Sequence, residues 1–113
     1  MVAKKAPFQL SEEFVADIYL TRGHTVTIQK NRFTPMLHIL HNKQAGKVVD
    51  IFVRDPVHGG AIPKTTIRPG DRALMTFRLF NERSAFVRPG MRVILREGHI
   101  LGYGIVVLSK PVW

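Results

Sequence analysis

An all-β fold, a small six-stranded antiparallel β-barrel, is predicted for this chain of 113 residues by three observations. Apolar and polar residues alternate in several short runs, no segment keeps the apolar spacing of a helix, and Gly, Pro, Asn and Asp recur at short intervals. Closing such strands into a barrel removes the unpaired edges that an open sheet would present.

The elements follow in order. Residues 1–11 read as a tail, because Ala3-Lys4-Lys5-Ala6-Pro7 has no apolar period and Pro7 opposes a helix. Structure is expected to begin near Phe14, where Phe14, Ala16, Ile18 and Leu20 alternate with Val15, Asp17 and Tyr19. Residues 21–32 are polar around Gly23 and read as a loop in which Val26-Thr27-Ile28 pairs weakly. A second strand follows Pro35 over residues 36–41, turn residues occupy 42–46, and a third strand covers 47–54 to complete a hairpin. Two prolines and Gly59-Gly60 make 55–64 an irregular connection.

Pro69-Gly70-Asp71 then reads as a turn into the longest strand, residues 72–80. There Ala73, Met75, Phe77 and Leu79 share one face, with Arg72, Thr76 and Arg78 on the other. Residues 81–90 lead to a closing hairpin, in which apolar and basic residues alternate over 91–97 and an apolar strand returns through Gly102 and Gly104. Glycines inside that strand imply close packing or a bend at a barrel corner. The expected organisation is a tail at 1–11, one barrel at 12–109 and a short tail at 110–113.

Composition narrows the class. A chain of this length supports one domain that buries roughly two thirds of the surface its unfolded form exposes. No apolar run is long enough to span a membrane, and residues 1–10 lack the apolar core and cleavage pattern of a signal peptide. The expectation is an intracellular protein of the cytoplasm or an organelle matrix, not secreted and without a membrane partner. The absence of cysteine excludes disulfides and thiolate metal sites. Seventeen Lys and Arg against eight Asp and Glu give a formal charge of +9, which favours an anionic partner, since a positive surface steers nucleic acid and releases its counterions.

The segment Arg88-Pro89-Gly90-Met91-Arg92-Val93-Ile94-Leu95-Arg96-Glu97-Gly98-His99, continued by Leu101-Gly102-Tyr103-Gly104-Ile105-Val106-Val107, carries a likeness to a known family. With Pro69-Gly70-Asp71 and the strand after it, it resembles the third, C-terminal domain of elongation factor Tu and elongation factor 1-alpha, where a strand ending in Arg-Glu-Gly turns into a V-G-x-G-V-V-like strand. Phe14-Val15-Ala16-Asp17-Ile18-Tyr19-Leu20 looks like the family's opening F-x-A-x-V-Y strand, and His24-Thr25 like its R-H-T segment with the arginine displaced or lost. Arg32-Phe33-Thr34-Pro35-Met36-Leu37-His38 stands in place of Y-R-P-Q-F-x-F, with Thr34 for the arginine and Met36 for the glutamine. That loop lies beside transfer RNA in the family, so these changes remove a bidentate donor. The resemblance, over residues 12–109, implies a β-barrel that packs on a second barrel and closes against a GTPase domain in the GTP state. It also implies that the barrel receives the T stem of aminoacyl-tRNA and is touched by the exchange factor.

Catalysis finds no support in the residues. A phosphate loop is lacking, because Gly46-Lys47 is followed by Val48 and has no upstream glycine, so neither GTP hydrolysis nor any cofactor is expected of this chain alone. His38 and His41 are three apart and point to opposite faces of a strand, which does not converge on a metal. Glu12, Glu13, Asp50 and Asp55 form no acid-base pair, and Ser84 and Ser109 lie in no nucleophile motif. The chain is not expected to be an enzyme.

The basic residues give the better site. Arg92 and Arg96 face outward on the penultimate strand, and Arg72 and Arg78 outward on the long strand before it. Were these strands neighbours, four guanidinium groups would share one face and suit an RNA backbone, while the same residues also serve a solvated face. By resemblance, the turn at Glu97-Gly98 lies against the T-stem backbone, where glycine admits a close backbone and a carboxylate can accept a ribose 2'-hydroxyl. A tight hairpin turn explains the same glycine. The expected function is a non-catalytic, translation-related module that binds structured RNA, the T stem of tRNA above all, by backbone contacts. The alternative is a protein-interaction barrel that docks on a separate translational GTPase, its exchange factor or a ribonucleoprotein, with RNA binding lost.

Overall fold

A computed structural model describes residues 10–39, 42–80 and 85–111, so the tail at 1–9, His41 and the segment 81–84 lie outside the described residues. The strands are β1 (Leu10–Leu20), β2 (Ile28–Gln29), β3 (Met36–Ile39), β4 (Asn42–Arg54), β5 (Ala61–Pro63), β6 (Thr66–Ile67), β7 (Arg72–Leu79), β8 (Ala85–Phe86), β9 (Arg92–Glu97) and β10 (His99–Pro111). Six of them, in the order β1-β10-β9-β3-β4-β7 and back to β1, form a closed antiparallel barrel. β5 extends β4, β8 pairs with the start of β1, and β2 pairs with β6. No helix among the described residues is long and apolar enough to cross a membrane.

Alternation builds the core. Phe14, Ala16, Ile18 and Leu20 of β1 and Ala73, Met75, Phe77 and Leu79 of β7 are all buried, with Leu37 and Ile39 of β3 and Val93 and Leu95 of β9 closing the interior. Each such Leu, Ile or Phe contributes about 1.5–3 kcal/mol when fully removed from water. The rings of Phe14 and Phe77 lie 5.4 Å apart near one end of the β1–β7 seam. Two Pro-Gly turns launch the strands of this core. In Arg68-Pro69-Gly70-Asp71 and Arg88-Pro89-Gly90-Met91 the glycines take φ of +94° and +95°, and the fourth residue's N–H donates to the first residue's carbonyl at 3.0 and 3.2 Å. Proline second and a left-handed glycine third is the geometry of a type II turn.

The inward glycines of β10 mark close approach. A Cβ on Gly102 would come within 2.8 Å of the Tyr19 carbonyl oxygen, and one on Gly104 would collide with the carbonyl oxygen of Asp17. Side chains of Ile18 and Leu20 pack into the space left.

Four details depart from the sequence reading. The longest strands are β4 and β10 at 13 residues each, not β7, which has 8. β1 begins at Leu10 rather than near Phe14, because Leu10 and Ser11 pair with Phe86 and Ala85 and Ser11 also pairs with Pro111. Residues 42–46 are strand, not turn: Asn42 to Ala45 pair with Ile39 to Met36, and Gly46 lies where a Cβ would be 2.6 Å from Leu37 Cδ1. Pairing with β3 overrides the weak strand preference of Asn, Lys and Gly. Within 55–64, Ala61 to Pro63 pair with β4, a place proline tolerates because β5 is an edge strand. The turn before it is fixed by Asp55, whose carboxylate accepts the N–H groups of Val57 at 2.9 Å and His58 at 3.2 Å, and those bonds hold its pKa below the usual range.

Candidate functional site

β9 and β7 are not neighbours, which corrects the single arginine stripe. Around the ring, β10 and β1 separate them on one side and β3 and β4 on the other, so Arg92 and Arg96 stand across the barrel from Arg78. The β7 arginines are also matched by acids of β1. Arg72 donates from Nε to Asp17 Oδ1 at 3.0 Å and from Nη2 to Oδ2 at 2.6 Å, and these hydrogen bonds raise its pKa. Arg78 Nη2 donates to Glu13 Oε1 at 3.0 Å. A cation already forked onto a carboxylate has less charge to offer a phosphate.

Arg92 and Arg96 differ. Both project outward from β9, with Ile94 between them and Val93 and Leu95 buried. Met36 lies opposite Arg96, His38 opposite Ile94, and Lys43 opposite His38, so Arg96 and Lys43 flank one histidine on the β9-β3-β4 face. The His38 pKa is lowered by burial first and then by the positive charges of Lys43 and Arg96. Among the described residues neither Arg96 nor Lys43 has an ion-pair partner, whereas Lys30 pairs with Asp50, farther along β4, at 3.2 Å. Lys43 was missed in the sequence because it sat in a segment read as a turn. Only its register against His38 reveals it.

The hairpin tip carries Glu97, exposed, and Gly98. Gly98 has φ +81° and open space where a Cβ would sit, so the tight turn demands glycine and the tip is free for close approach by another molecule. Beside it, the loop bearing His24 is pinned to β10. Val26 N–H donates to His24 Nδ1 at 3.1 Å, which leaves Nε2 to donate to the Leu101 carbonyl at 2.9 Å. The His24 ring lies 6.1 Å from that of His99. Thr34 and Met36, which replace an arginine and a glutamine in the resemblance, are both exposed near this face.

A second feature was not foreseen. The outer surface over β1, β10 and β9 holds a groove of about 700 Å³, lined among others by Tyr19, Arg72, Arg92, Ile94, Tyr103 and Ile105. Tyr19 and Tyr103 meet edge to face with centroids 5.8 Å apart. Arg72 and Arg92 thus reach one groove across the two strands between them, although Arg78 and Arg96 do not join it. Among the described residues, no group of three His, Asp or Glu side chains is gathered as a metal site needs. No family model matches this chain and no curated protein matches it.

Proposed function

We propose that this protein is a non-catalytic, translation-related module that grips the backbone of structured RNA, the T-stem region of tRNA above all. The surface used is the β9-β3-β4 face, with Arg92, Arg96 and Lys43 on phosphates and the Glu97-Gly98 tip against a ribose edge. The observation that carries this reading is geometric: Arg96 and Lys43 flank His38 on neighbouring strands, and neither has an ion-pair partner among the described residues. Guanidinium and ammonium groups without internal acid partners are the donors that phosphate contacts require. The likeness of residues 88–107 to the third barrel of elongation factor Tu supports the choice of tRNA, and a cytoplasmic or organellar location goes with it. Arg72 and Arg78 take a lesser part, since each is held by a carboxylate.

Fluorescence anisotropy with labelled tRNA across a salt series tests the proposal. Three neutralised phosphates give a slope of log affinity against log salt near −2 to −3, and alanine at Arg92, Arg96 or Lys43 makes it shallower by about one unit each. Absence of tRNA binding at low salt, where the electrostatic attraction is largest, would remove the RNA reading.

A further inference from the structure

β10 is an unusual outer strand for a solvated barrel. Its outward residues Tyr103, Ile105 and Leu108 are 52%, 49% and 53% exposed, and Val107 beside the bulge is 46% exposed, so over 103–108 the water-facing side of this strand is apolar. Outward positions of antiparallel strands ordinarily carry polar residues, as Arg72 and Arg78 do on β7. Ile100, also partly exposed, lines the same groove as Tyr103 and Ile105, so the apolar side chains of β10 share one outer surface. The ring leaves no free edge beside this patch, so a partner must pack face to face.

The charges that flank the patch are arranged about β10. In register, Ile105 has Asp17 of β1 on one side and Arg92 of β9 on the other, and Tyr103 has Tyr19 on one side and Ile94 on the other. We propose that this face binds a second copy of the same chain, along a two-fold axis that follows β10. Rotation about that axis lays β1 of one copy over β9 of the other. Asp17 then meets Arg92 of the second copy, Arg92 meets the second Asp17, Tyr19 packs on Ile94, and Tyr103 and Ile105 meet their own images. Such an isologous contact is self-complementary in charge as well as in apolarity. Asp17 keeps the capacity for it: its side chain is 29% exposed, and two bonds from Arg72 leave carboxylate lone pairs open. The inference shares Arg92 with the RNA reading, so RNA and a second copy would compete for that side chain, and the test uses protein free of nucleic acid.

Sedimentation equilibrium at roughly 0.1 mM protein and physiological salt, where charge repulsion between copies is screened beyond about 8 Å, should give the dimer mass. Asp17→Arg and Arg92→Asp each place like charges opposite one another twice, and each should weaken dimerisation at least about tenfold. Mixed in equal amounts, the two variants regain both opposite-charge contacts, so the mixture should return to the dimer mass. Ile105→Lys, which leaves the Asp17–Arg72 pair in place, sets two like charges on the axis and should also give monomer, so the test survives if Asp17→Arg fails to fold. A wild-type chain that stays monomeric at this concentration, single variants that dimerise as wild type does, or a mixture that stays monomeric would each overturn the proposal. Stable capture of a separate GTPase by a monomeric wild-type chain would do so too, and would assign the face to that partner.

Discussion

At Gly104 the two strands that seal the ring come so close that no side chain fits. Gly104→Ala drives a methyl group into the Asp17 carbonyl, a backbone atom that can yield only by moving β1, and should cost on the order of 1–3 kcal/mol. At Gly46 the obstacle is the end of the Leu37 side chain, which can rotate, so Gly46→Ala should cost less. Urea unfolding of the two variants, with slopes compared to confirm that only stability changed, checks this order. His38 is the residue that reports charge. Because its folded pKa lies below the ordinary 6.5, the unfolded chain binds the proton more readily in the interval between the two values. Stability therefore rises with pH through that interval and is fully present above 6.5, while acidification below it favours unfolding. Proton NMR should show the His38 pKa moving up toward the ordinary value when Arg96 and Lys43 are replaced by Ala, and also when tRNA phosphates bind beside them. An unmoved value on addition of saturating tRNA would place the RNA elsewhere.

Among the strands, β9 and β7 look alike in sequence and differ in position. Both alternate apolar and basic residues, yet β7 lies beside the acids Glu13 and Asp17 of β1, and β9 lies between β10 and β3, with Met36 and His38 across from its outer residues. Alanine at Arg92 and Arg96 should therefore lower tRNA affinity and its salt slope more than alanine at Arg72 and Arg78, in the same anisotropy assay. The reverse ranking would mean that the β7 arginines leave their carboxylates to bind. The alternation itself was legible: the runs at 14–20 and 72–79 put every second residue in the core, Val93 and Leu95 do the same on β9, and the Pro69-Gly70 turn stands where its residues place it. Strand order was not legible, since which strands neighbour one another depends on contacts far apart in the chain. For the same reason 42–46 was mistaken for a turn, and Lys43 with it. Its side chains carry little strand preference of their own, and β3 imposes the conformation.

For the molecule as a whole, one apolar interior is shared by all six barrel strands, so no strand has a core of its own to stabilise it separately. Unfolding should be a single transition, with circular dichroism and intrinsic fluorescence giving coincident curves. Separated curves would show part of the ring opening first. Pairing between distant strands also predicts refolding in milliseconds to seconds, slower than for helical proteins of similar size, and stopped-flow fluorescence measures it.

Ring closure also sets a clock. Ser11 at the start of β1 pairs with Pro111 at the end of β10, about 100 positions later, and a ribosome adding about 5–20 residues per second takes roughly 5–20 s to cover that distance. Throughout that interval one edge of β1 has no mate, and the apolar interior lies open along the missing seam. The hazard to a newly made chain is therefore governed by the pace of translation through β10, and a slow stretch of codons there would prolong it even though the finished barrel would be no less stable.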